Sequence, residues 1–125
     1  RRKEIVNQLD AGLKSELIQV LPHQTDHYES SRHLYITRVN GASYEQRGQI
    51  IEKMAERGIS CNVHYKPLPL LTAYKNLGFD IENYPNAYNY YVKEVTLPLH
   101  TRLSDEDVAV IIANFKGIVE EVVGE

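Results

Sequence analysis

The sequence predicts an α+β domain in which a small three-stranded, mainly antiparallel sheet is covered by helices. Three observations predict it. Segments 44–57 and 105–122 carry apolar residues at helical spacing. Segments 33–39, 59–65 and 94–98 are short runs rich in β-branched and aromatic residues, or alternate apolar with polar. The length, 125 residues, suits one domain, and 42% hydrophobic with 25% charged residues suits an ordinary core.

Residues 3–17 read as a first helix through Ile5, Val6, Leu9, Leu13 and Leu17, weakened by Gly12. Its apolar stripe, Ile5, Val6 and Leu9 above all, is the expected docking surface for a further domain. The chain begins Arg1-Arg2-Lys3 without Met and enters this helix at once, which reads as a piece of a longer protein. A processed N-terminus is the alternative. Residues 21–32 are a polar loop holding His23 and His27. Four apart is metal-ligand spacing only on a helix, and no helix signal covers them, so both read as solvated.

The strand over 33–39 ends at Asn40-Gly41. Ser43 and Gln46 then form a capping box for a helix that buries Ile50, Ile51, Met54 and Ala55 and stops at Gly58. The next strand, 59–65, alternates strictly. Ile59, Cys61, Val63 and Tyr65 form a core face; Ser60, Asn62 and His64 form a polar one. Pro67 ends the strand, leaving His64 held at an edge beside a rigid Pro-Leu-Pro corner. Cys61 reads as a buried, inert thiol, and a lone cysteine fits a reducing cytoplasm.

A short helix over 70–77 closes at Gly78, a loop runs over 79–85, and another short helix covers 86–93. It carries Tyr88, Tyr90 and Tyr91, read as ordinary packing with wet hydroxyls. Residues 94–99 are a third strand whose end Pro98 places at a sheet edge. Ser104 caps the last helix, whose stripe runs from Val108 through Phe115 to Val122. Asp105, Glu106 and Asp107 complement its dipole rather than form an acid pair.

The net charge of -3 and the lack of a basic run predict no nucleic-acid partner, and no apolar run is long enough for a membrane helix. No phosphate loop, nucleophile elbow or metal motif occurs in the sequence. No catalytic residue is assigned within these 125 residues.

The stretch RGISCNVHYKPLPLLTAY, residues 57–74, resembles the C-terminal domain of the DegT/DnrJ/StrS-type nucleotide-sugar aminotransferases. RHLYITRVN resembles that family's first small-domain strand, and RGQIIEKMAERGI its following helix. YPNAYNYYVKEVTLPLHTRLSDEDVAVII resembles its Pro-x-Ala segment, Leu-Pro-Leu strand and capped last helix. The likeness runs from about Leu34 to Ile112. It implies the small domain of a fold-type I, pyridoxal-phosphate-dependent enzyme. Residues 1–125 would be one domain, preceded by a large cofactor-binding domain that bears the Schiff-base lysine. The whole enzyme would move an amino group, usually from glutamate, to a nucleotide-linked keto-sugar. It would be a cytoplasmic bacterial homodimer of polysaccharide biosynthesis. The 125 residues alone would bind no pyridoxal phosphate and be inactive.

His64 and Tyr65 match the family's His-Tyr pair near the cleft at the domain junction, which implies that they help line the sugar or cofactor pocket, with substrate binding as their assigned role. The alternation agrees for His64 but sets Tyr65 on the core side. Family members often have Pro-Leu-His where this chain has Pro67-Leu68-Pro69, so the sugar does not carry over. Two other readings stand beside this one. A pyridoxamine-phosphate-dependent sugar dehydratase would share the domain, and a free-standing α+β binding module would need no partner domain.

Overall fold

A computed structural model describes residues 1–124, so of the predicted 1–125 span residue 125 lies outside the described residues. Five α-helices and three strands follow in the order α1 (Arg2–Gly12), β1 (Ile18–Val20), β2 (Tyr35–Val39), α2 (Tyr44–Glu56), α3 (Thr72–Asn76), α4 (Pro85–Lys93), β3 (Glu94–Leu97) and α5 (Asp105–Val123). Single 3₁₀ turns at Leu68–Leu70 and Ile81–Asn83 flank α3. The sheet is antiparallel in the order β1-β2-β3, so the predicted α+β class holds.

Register decides the two faces. Tyr35 pairs with Leu97, Ile36 with Thr96, Thr37 with Val95 and Arg38 with Glu94. Tyr35, Thr37, Val39, Val95 and Leu97 therefore share one face, and all five are buried against the helices. Gln19, Ile36, Arg38, Glu94 and Thr96 share the other. The core lies between the first face and helices α1, α2 and α5, with Ile5, Leu9, Ile50, Met54, Phe115 and Ile118 fully buried. Each such side chain contributes about 1.5–3 kcal/mol by leaving water.

The predicted Ser43 capping box is present, and the predicted Ser104 cap proves to be a capping box too, closed by Asp107. Ser43 and Gln46 exchange bonds of 3.1 and 2.9 Å, and Ser104 and Asp107 bonds of 3.0 and 2.9 Å. The Ser104 backbone N–H and hydroxyl hold the Asp107 carboxyl below its ordinary range. Gly58 sits at φ 79°, the left-handed geometry expected where α2 stops.

Several expectations are corrected. Helix α1 ends at Gly12, not near 17, and Leu17 leads into β1, a strand the apolar periodicity concealed. The helix stripe does not dock elsewhere: Ile5, Val6 and Leu9 are buried within this chain. Gly12 has a packing reason, since a Cβ there would lie 2.6 Å from Ile112 Cδ1 of α5. His23 is not solvated. Its ring stacks on Tyr35 at 5.5 Å and meets Ser30 Oγ at 3.1 Å, and burial lowers its pKa.

The largest correction concerns 59–65. Only Asn62 pairs with the sheet, through a single bridge to Thr96, with N–H···O distances of 3.1 and 2.8 Å. With no continuous ladder, nothing imposes strict alternation beyond that point. Ile59 is buried as expected, but Tyr65 is 75% exposed and does not reach the core. The third strand of the sheet is β1 instead. Exposed apolar side chains gather between 65 and 90, with Leu68 and Phe79 exposed and Leu77 at 73%.

Candidate functional site

The outer face of the sheet carries a polar array. Glu94, only 5% exposed, accepts from the His64 backbone N–H at 2.8 Å through Oε2 and from the Thr96 hydroxyl at 2.5 Å through Oε1. His64 Nδ1 lies 2.9 Å from Thr96 Oγ1. Strand β3 aims Glu94 and Thr96 to the same side because they are two residues apart. The Asn62 bridge brings the 62–65 segment alongside, and His64 follows onto that side. The ring of Tyr65 stands edge-on to His64, with centroids 4.8 Å apart. The structure thus brings both sequence-predicted site residues together, with Tyr65 on the open side rather than the core side.

Glu94, His64 and Tyr65 line a cleft of about 290 Å³ with Ile36, Arg38 and Tyr90. Arg38 faces Glu94 across the register but forms no ion pair with it among the described residues. Its guanidinium lies over the Tyr90 ring, 3.9 Å from the centroid, a cation–π stack that fixes its direction. The predicted packing role holds for Tyr91, which is half-buried, whereas Tyr84, Tyr88 and Tyr90 are exposed.

Arg47 supports the wall. It is 4% exposed and donates to the carbonyls of Tyr91 (2.6 Å) and Glu94 (3.2 Å), between the rings of Tyr44 and Tyr91. It ties α2 to the α4–β3 junction where Glu94 begins. Burial raises the Tyr91 phenol above its ordinary range, Tyr44 adds to this, and Arg47 opposes it.

The sequence does not single out Glu94, Thr96 or Arg38, and it offers Tyr90 only as ordinary packing. The available signal was period two in two strands, Ile36 with Arg38 and Glu94 with Thr96. Cross-strand register, which the sequence does not state, joins the pairs. Cys61 packs against the core and its thiol is pushed up to about 12 by burial, so it stays protonated and unreactive at neutral pH. Among the described residues no group of three or more His, Cys, Asp or Glu is placed to hold a metal ion. No described helix is long and apolar enough to cross a membrane.

Comparison with known proteins gives the family of the chain. The family model for the DegT/DnrJ/EryC1/StrS aminotransferases matches residues 1–116. The UDP-4-amino-4,6-dideoxy-N-acetyl-beta-L-altrosamine transaminase of Campylobacter jejuni is 30% identical over 122 residues, covering 98% of this chain and 32% of that protein. The dTDP-4-dehydro-2,3,6-trideoxy-D-glucose 4-aminotransferase of Saccharopolyspora spinosa is 33% identical over 122 residues, covering 96% of this chain and 30% of that protein. A Streptococcus pneumoniae protein assigned as a sugar aminotransferase, solved in its PLP-form, superposes with TM-score 0.95 at 60% identity. The superposition covers 98% of this chain and 31% of that one. The chain spans about a third of the length of these relatives. With the family model running from the first residue through most of α5, the chain belongs to the DegT/DnrJ/EryC1/StrS aminotransferase family.

Proposed function

We propose that residues 1–125 are the C-terminal small domain of a larger pyridoxal-phosphate-dependent sugar aminotransferase. The whole protein moves an amino group from glutamate to a nucleotide-linked keto-sugar, acts in the bacterial cytoplasm as a homodimer, and is inactive without its large domain. The observation that carries the reading is the Glu94–Thr96–His64 array opening on a cleft, in a chain of this family. The exposed apolar side chains between 65 and 90 support it, because a lone soluble domain seldom leaves so many uncovered.

His64 and Tyr65 are assigned to the substrate side of the cleft. The residues present do not make a cofactor site: no lysine lines the cleft, and Arg38 is its one fixed cation. Pyridoxal phosphate, which supplies the electron sink for amino-group transfer, is therefore assigned to the rest of the protein. What this chain contributes is one wall, one imidazole and one stacked guanidinium.

The test is the full-length protein incubated with glutamate and UDP- or dTDP-linked keto-sugars. The expected product is the amino sugar by mass, with one 2-oxo acid formed per sugar aminated. Loss of water from the sugar without amination would establish the dehydratase reading. No turnover with any nucleotide-linked keto-sugar would overturn the proposal.

A further inference from the structure

The array at Glu94 sets more than a position; it sets where a hydrogen lies. Both carboxylate oxygens of Glu94 are engaged, Oε2 by the His64 backbone N–H and Oε1 by the Thr96 hydroxyl. A carboxylate only accepts, so the single hydroxyl hydrogen of Thr96 is committed to Glu94. The Thr96 oxygen then has only a lone pair to offer His64 Nδ1, 2.9 Å away. Nδ1 must carry the hydrogen, and in the neutral ring Nε2 is left as an acceptor. Nε2 has no hydrogen-bond partner among the described residues, and His64 lines the cleft.

We infer that Glu94 and Thr96 are positioning residues that fix the tautomer of His64, making the cleft an acceptor site for a hydroxyl or amine of the ligand. A carbonyl oxygen at the same point would meet lone pair with lone pair. The identity of the ligand rests on the aminotransferase reading above; the tautomer rests on the hydrogen bonds alone. A sugar hydroxyl and the amino group of the amino donor share the required chemistry.

Glu94→Gln turns the array around at nearly constant shape. The amide oxygen can still accept from the His64 backbone N–H, while the amide nitrogen donates to Thr96. Thr96 then swings its hydrogen to Nδ1, and Nε2 becomes the donor. Thr96→Ser keeps the relay, and Thr96→Val cuts it.

The experiment uses the full-length protein with isotope-labelled histidine, the imidazole nitrogens being read by NMR and His64 assigned by its loss in His64→Asn. The hydrogen is expected on Nδ1 in the wild type and in Thr96→Ser, on Nε2 in Glu94→Gln, and divided between both in Thr96→Val. In the same variants KM is measured for a nucleotide-linked keto-sugar and for glutamate. One of the two rises about tenfold in Glu94→Gln and stays near wild type in Thr96→Ser. A rise confined to the sugar identifies the hydroxyl, and one confined to glutamate identifies the amine; either supports the acceptor site.

Hydrogen on Nε2 in the wild type, or one tautomer in all variants, overturns the inference. So does a pair of unchanged KM values. If no nucleotide-linked sugar is aminated but the tautomer moves as described, the proposed function fails and the positioning role stands. Should Glu94→Gln not fold, the Thr96→Val and Thr96→Ser pair carries the same comparison.

Discussion

Single residues in this domain do work that their type alone does not announce. Tyr35 is fully buried, and its hydroxyl donates to Asp10 at 2.6 Å. Burial, reinforced by Asp10, holds this phenol well above its ordinary 10.0. The folded state therefore keeps a proton that the unfolded chain releases. The resulting stability is whole below about pH 10 and declines as pH rises beyond it. Cys61 acts in the same sense from its ordinary 9.0 up to about 12. Urea midpoints should fall steadily above about pH 9, and Tyr35→Phe should flatten the part of the slope above about pH 10. An equal alkaline slope in that variant would assign the loss to other groups. Arg47 is the second case. Arg47→Met keeps the stem but strips the carbonyls of Tyr91 and Glu94 of their donor. The expected cost is about 2–4 kcal/mol, read from the urea midpoint.

Among the elements, α1 and α5 were both legible as amphipathic helices, but their closeness was not. Gly12 lets them meet, since a Cβ there would fall 2.6 and 2.9 Å from two carbons of Ile112. Gly12→Ala should gain helix propensity yet lose about 1 kcal/mol overall, because Ile112 must leave its rotamer. Ile112→Val removes the Cδ1 carbon. In that background the same change should cost less, and the double-mutant cycle should show a favourable coupling. Simple additivity would mean that the backbone, not Ile112, absorbs the strain. The capping box at Ser43 and the cap at Ser104 were legible because their signal is local, a hydroxyl just before the helix and, at Ser43, an acceptor three residues on. Strand β1 was not, because its three residues follow a helix stripe without a break in apolar spacing.

For the whole molecule, the consequence to test is at His64. On the proposed function, His64→Ala in the full-length protein should lower transamination about tenfold or more, the scale of removing one hydrogen bond to the substrate in a closed site. Stability should fall by only about 1 kcal/mol, because the side chain makes one hydrogen bond and lies outside the core. Full activity with unchanged KM values would remove His64 from the site. A large loss of stability would make it a structural residue of the 62–65 segment.

The sequence by itself determined the fold class, both capped helices, the Gly58 stop, and the family likeness carried by the 57–74 stretch. These depend on periodicity and on interactions within a few positions, which a linear pattern records. It also marked His64 as a polar group at a strand end. Only the tertiary structure decided that 59–65 leaves the sheet after one bridge, that Tyr65 faces out, and that β1 completes the sheet. Only register brought Arg38 opposite Glu94 and aligned Thr96 with His64, 32 positions apart in the chain. Pairing between strands is set by which faces bury together, and that balance is struck across the whole core, beyond the reach of any one segment.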